Sequence, residues 1–356
     1  MNVAGFARLD DGDRHLRFLK QHGVDHVVVS GKAQASVLGR FPPPAGDRPG
    51  THWELADLLH LRRRCEDAGL TLVAIENPVP PWCLDKIMLG QPGRDQQLDN
   101  LSTTIRNMGR AGIPVLGYHW MVNPPGVVRA SYRTSTASPG RGGSRVASFD
   151  LALAERLPPF RERVYSEAEM WANYEYFVRA IVPVAEAAGV RLALHPDDPP
   201  VEQLGGIPRL FRSPAAFQRA MDLAGSPSSG LNFCLANWWA MGADVLAAIA
   251  HFGRQGQIVY GHVQGIKGTV PRFSECAVDE SECDFLDALS ALRRAGFDGS
   301  LAPGHYPHTV ASETGPYAAE AFAIGYLLGL LRAVDGRGRA AERTAQAQPG
   351  EGMRIR

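Results

Sequence analysis

The sequence lacks any run of about 18 consecutive apolar residues, so it offers no membrane span. Its first ten residues, Met1 to Asp10, have neither the basic start nor the apolar centre of a secretory leader. Cysteine is sparse. The five cysteines (Cys65, Cys83, Cys234, Cys276 and Cys283) are odd in number, scattered and never spaced CxxC. The simplest reading is a cytoplasmic protein with free thiols. Net charge is missing too. Lys+Arg and Asp+Glu both number 37, so nothing points to a general attraction for nucleic acid or an anionic membrane. No GxGxxG follows an early strand, which removes the main support for a dinucleotide site in a doubly wound sheet.

What is present is alternation. Short apolar runs read as strands at Asn2–Leu9, His26–Ser30, Leu70–Glu76, Val115–Trp120, Arg191–His195, Gly230–Leu235, Ile258–His262 and Ser300–His305. Longer amphipathic stretches follow them. They run over Asp11–His22, Trp53–Ala68, Asp95–Ala111, Glu167–Ala188, Ser213–Ala224, Ala243–Phe252, Cys283–Ala295 and Tyr317–Val334. Gly23, Gly69, Gly112 and Gly296 close four of these helices. Eight strand–helix units in 356 residues predict an α/β fold, the (β/α)8 TIM barrel, over residues 1–334. A polar Gly/Ala/Arg-rich tail, 335–356, is expected to be disordered. Two long segments rich in Gly and Pro, Gly31–Thr51 and Met121–Pro159, are expected to cover the strand ends and set specificity.

In such a barrel the C-terminal strand ends face one site. The residues there are Glu76, His119, His195, Cys234, His262 and His305. The run Arg191-Leu-Ala-Leu-His195 must stop where it does, because Pro196, Pro199 and Pro200 cannot continue a ladder. Asp197 and Asp198 are delivered to the same place. A barrel interior calls for Val, Ile and Leu, so four histidines at equivalent positions suggest chemistry. Neutral imidazole and thiolate are good ligands for a divalent transition metal. His195, Cys234 and His262 come from three successive strands and can converge on one ion.

These residues resemble the mannonate dehydratase family, of the xylose-isomerase-like barrel superfamily. The resemblance runs through Ile75-Glu-Asn-Pro-Val79, Thr104-Ile-Arg-Asn107, Tyr118-His-Trp-Met121, Leu194-His-Pro-Asp-Asp-Pro-Pro200, Gly206-Ile-Pro-Arg209, Asn232-Phe-Cys234 and Phe273-Ser-Glu275, over roughly Thr51 to Val334. It implies a hydro-lyase that takes D-mannonate to 2-keto-3-deoxy-D-gluconate and water. It also implies a divalent metal, with Mn2+ expected and Fe2+, Co2+ or Zn2+ as alternatives. Carried over by position, His195, Cys234 and His262 match three metal ligands. His305 and Tyr317 match catalytic residues that exchange protons with the substrate. Glu76, His119, Asp197 and Asp198 are candidates to bind substrate. Arg133, in Tyr132-Arg-Thr134, matches a family arginine and is a candidate to receive a carboxylate. The expected partners are a sugar acid and further copies of the chain.

The chain also departs from that pattern. The family's fourth ligand, an Asp in PDHG, falls on Gly304 of Pro303-Gly-His-Tyr306. The H-x-RN segment is His262-Val-Gln-Gly265, and CxGS is Cys234-Leu-Ala-Asn237. Two other expectations therefore stand beside the dehydratase: a sugar isomerase or epimerase of the same superfamily, and a metal-free barrel without catalysis.

Overall fold

A computed structural model describes residues 1–10, 12–31, 52–124, 131–315 and 317–346, without the side chains of 313–314 and 337–346. The expected covering loop Gly31–Thr51 falls almost wholly outside these residues.

Eight parallel strands close into a barrel. They are β1 (Asn2–Ala7), β2 (His26–Ser30), β3 (Thr71–Glu76), β4 (Val115–Tyr118), β5 (Arg191–Leu194), β6 (Ser229–Cys234), β7 (Ile258–Val263) and β8 (Ser300–Pro303). Each strand pairs with its neighbours in sequence, and β1 closes on β8 with Asn2 opposite Ser300. Each strand is followed by helix, so the barrel expected from the alternation is the barrel observed.

The strands are apolar on both faces because both faces are covered. Outward residues such as Val27, Val29, Leu192 and Leu231 join the large core beneath the helices. Inside the barrel, Ala4, Val28, Ala74, Ala193 and Ala302 pack around Tyr260. Five small residues leave room for one phenol, whose hydroxyl points up toward the strand ends.

Helix starts follow ordinary capping chemistry. Ser166 accepts from the Glu169 backbone N–H, and Glu169 reaches back to the Ser166 N–H, which is a complete capping box for Glu167–Ala188. Ser213 caps Pro214–Ala224, with proline at its first position. The last helix, Ala318–Gln346, runs past the end expected at Val334 and takes in the start of the expected tail.

The second long segment holds structure that its composition hides. Ser135–Pro139 pairs with Arg145–Asp150, which pairs across the mouth with Arg272–Cys276, and that strand with Gly265–Thr269. The result is a four-stranded antiparallel sheet beside the strand ends. All five cysteines are free and buried. No helix among the described residues is long and apolar enough to cross a membrane.

Candidate metal and active site

Three adjacent strands deliver three donors. β5 ends at Leu194, and the next residue, His195, donates its backbone N–H to Tyr118 O at 2.8 Å. Its Nδ1 lies 2.6 Å from Pro196 O, so Nδ1 carries the proton and Nε2 is left as the ligating atom. Burial, then the neighbouring His262, lowers His195 to about 4, so the ring is neutral. Cys234 is fully buried at the end of β6, and His262 stands opposite it in register on β7. The Cys234 thiol donates to Asn237 Oδ1 at 3.0 Å. Burial pushes that thiol far above its ordinary value, so it ionises only beside a cation.

Donor atoms of His195, Cys234 and His262 all lie within 4.8 Å of one another. That is close to the span one ion bridges with bonds of about 2.0–2.3 Å. The donor set is two imidazoles and a buried sulfur, so these residues fit a divalent transition metal.

A second layer sits beneath. Glu76 Oε2 lies 2.9 Å from His262 Nε2 and accepts from Tyr260 Oη at 2.9 Å. Asn232 Nδ2 donates to Tyr260 Oη at 2.9 Å. Burial acts to raise Glu76, but His262 and the Tyr260 hydrogen bond outweigh it and hold the carboxyl well below the usual range. This approach requires glycine at 117. A Cβ there would stand 2.1 Å from Tyr260 Oη and close the path to Glu76.

On the other side of the mouth, Arg133 is a hub. It is bidentate to Asp198, Nη1 to Oδ1 at 2.5 Å and Nη2 to Oδ2 at 3.0 Å, and its Nε donates to Glu275 at 3.0 Å. The side chains of Arg133 and Asp198 are 3% and 5% exposed. Arg133 is therefore committed to two internal carboxylates, which corrects the expectation that it receives one from a ligand. Glu275 also accepts from His305 Nδ1 at 2.8 Å, which fixes that tautomer and leaves His305 Nε2 with its lone pair.

Asp197 differs from expectation in the same way. It is buried, accepts from the Phe211 N–H at 2.6 Å, lies 3.7 Å from Arg209, and does not line the cavity. Burial pushes it up to about 6 despite Arg209. Its work is to hold the loop after β5.

A cavity of about 490 Å3 opens over the strand ends. Glu76, His119, His195, Asp198, His262 and His305 all line it; Cys234 does not, but its sulfur lies within 4.8 Å of the donor nitrogens of His195 and His262. Tyr317 does not line it. Its ring packs 4.8 Å from those of His15 and Phe18, with the Arg8 guanidinium over it. Tyr306 lines the cavity instead, its hydroxyl donating to Pro303 O at 2.8 Å. Sequence reasoning also assigned no role to Glu275, Asn232, Tyr260, Gln264 or Arg145. Parity along β7 would have found two: Tyr260 and Gln264 share the face of His262. Arg145 comes from the antiparallel sheet, with Nη2 3.0 Å from His308 Nδ1.

The fold and site together define a (β/α)8 barrel with imidazole and thiol donors at its strand ends and a polar cavity above them. The D-mannonate dehydratase (UxuA) family model matches residues 14–161 and 152–341. Mannonate dehydratase 2 of Halalkalibacterium halodurans is 31% identical over 278 residues, 72% of this chain and 79% of that protein. The mannonate dehydratase of Streptococcus pneumoniae is 30% identical over 279 residues, 72% and 75%. The crystal structure of mannonate dehydratase from Streptococcus suis serotype 2 superposes with a TM-score of 0.80 at 28% identity, covering all of this chain and 97% of that one. L-Ribulose 3-epimerase, at 16% identity and a TM-score of 0.59, shares the fold. The chain belongs to the mannonate dehydratase family, a family of lyases, and is a divergent member of it.

Proposed function

We propose that the protein removes water from D-mannonate or a closely related sugar acid, giving a 2-keto-3-deoxy acid. The observation that carries this reading is the convergence of His195, Cys234 and His262 donors beneath a cavity lined by His305.

A proton next to a carboxylate is very weakly acidic. His195 Nε2, the Cys234 thiolate and His262 would hold a divalent ion, Mn2+ on this reading, which when bound would supply positive charge to offset the charge developing on the substrate carboxylate. His305 takes the C2 proton on Nε2, because Glu275 keeps the other nitrogen protonated. The C3 hydroxyl leaves as water with the proton that His305 took from C2, and the resulting enol ketonises, its hydroxyl proton moving to C3, to give the 2-keto group. Tyr306 also faces the cavity, with its hydroxyl donated to Pro303 O. Glu76, His119 and Asp198 line the space for the sugar hydroxyls.

The substrate carboxylate needs a cation. Arg8 pairs with Glu320 at 3.0 Å, and Arg133 is committed. Arg145 has His308 as its side-chain partner and no carboxylate among the described residues, so Arg145 is the cavity arginine left to receive the substrate.

The test is a product assay on the Mn2+-loaded protein with D-mannonate and its C2 and C3 epimers. A 2-keto-3-deoxy acid from one of them, absent with His305→Ala, is expected. Epimer interconversion without that product would identify an epimerase, and no turnover of any of them would contradict the reading.

A further inference from the structure

A catalytic metal site commonly keeps three protein donors and an open position for water or substrate. The strand beside His262 shows where a fourth lies. β7 and β8 pair with His262 opposite Ala302 and Val263 opposite Pro303, so the next pair along is Gln264 and Gly304. Ala302 faces the barrel interior, and Gly304, two residues on, faces the same way.

A Cβ built on Gly304 would stand 2.4 Å from Gln264 Oε1. The volume that a side chain at 304 would enter is thus filled by the Gln264 amide. Glycine and glutamine form a matched pair: one strand end leaves the space, the neighbouring one fills it. Gln264 is 4% exposed, and its side-chain amide makes no hydrogen bond among the described residues. It is also aimed into the cavity that His195 and His262 line. Such a group calls for a ligand.

We propose that Gln264, through Oε1, is the fourth protein ligand of the ion held by His195, Cys234 and His262. The inference rests on the reading of those three as metal ligands. The donor set is then two imidazoles, one thiolate and one neutral amide oxygen. Its formal charge is −1, so the bound divalent ion keeps a net positive charge with which to attract an acid.

The experiment uses the full-length chain stripped of metal, titrated with Mn2+ by calorimetry and with Co2+ by absorption. In the wild type the Cys234 thiolate gives Co2+ a sulfur-to-metal charge-transfer band. Gln264→Ala is expected to raise the Kd for Mn2+ about tenfold or more. At saturating Co2+ it keeps the charge-transfer band but alters the d–d bands. Gln264→Glu adds a negative oxygen at the same place and is expected to tighten Mn2+, which covers the case in which the alanine variant folds poorly. The double variant Gln264→Ala with Gly304→Asp is expected to recover the lost affinity, because the carboxylate enters the vacated space. Affinity within twofold of wild type in both single variants, with Cys234→Ala abolishing binding, would overturn the Gln264 assignment and leave the three-residue site standing. A wild type that binds neither ion would overturn the underlying reading and the proposal with it.

Discussion

Glu275 accepts a hydrogen bond from His305 Nδ1 at 2.8 Å while the same carboxylate takes the Nε of Arg133 at 3.0 Å. One acid thus aims the base and ties it to the ion pair of Arg133 with Asp198. In Glu275→Gln the side chain keeps its shape but can turn an N–H toward Nδ1, which favours the wrong tautomer. We expect kcat to fall about 100-fold with KM little changed. In a His305→Ala background the same change should cost almost nothing further. Steady-state kinetics on the two single variants and the double variant check this; additive losses would separate Glu275 from His305.

Arg145→Ala removes the cavity arginine that has no carboxylate partner. A hydrogen bond to a charged group contributes about 1.5–3 kcal/mol, so KM should rise roughly 10- to 100-fold. Affinity for Mn2+ should not change, because Arg145 belongs to the antiparallel sheet and not to the strand ends. An unchanged KM would move carboxylate recognition elsewhere.

Ion binding should release the proton of the Cys234 thiol. Burial raises the Cys234 thiol, so it is protonated at neutral pH before the ion arrives. His195 is lowered to about 4 and is already neutral there. About one proton per ion should therefore leave near pH 7, and apparent affinity should climb about tenfold per pH unit. Mn2+ calorimetry in buffers of different ionisation enthalpy measures the number; zero release would remove Cys234 from the ligand set.

Much of the site was legible because strand ends announce themselves. Pro196 keeps β5 from running past His195, and β7 ends at Val263, one residue beyond His262. Once eight strands are counted, residues at equivalent ends must meet. What stayed hidden depends on partners remote in sequence. Arg133 looks like a free loop arginine until Asp198 and Glu275, 65 and 142 positions away, close on it. The strands Ser135–Pro139 and Arg145–Asp150 are too polar and Gly-flanked to read as strands. Arg145–Asp150 pairs with Arg272–Cys276, and Ser135–Pro139 pairs in turn with Arg145–Asp150. Gly304 reads from sequence as a missing ligand. The neighbouring strand shows its space taken by Gln264, a relation that only the register of β7 on β8 reveals.

The proposed function turns on an ion held by His195, Cys234 and His262 that drives sugar-acid dehydration. The most direct test is to strip the protein with a chelator and add Mn2+ stepwise. Bound metal and the 2-keto-3-deoxy product from D-mannonate are measured in the same samples. The account predicts that product formation rises with bound ion, saturates at about one ion per chain, and is lost with Cys234→Ala. Product formation that survives complete stripping, or a protein that binds one ion through these residues and dehydrates no sugar acid, would contradict it.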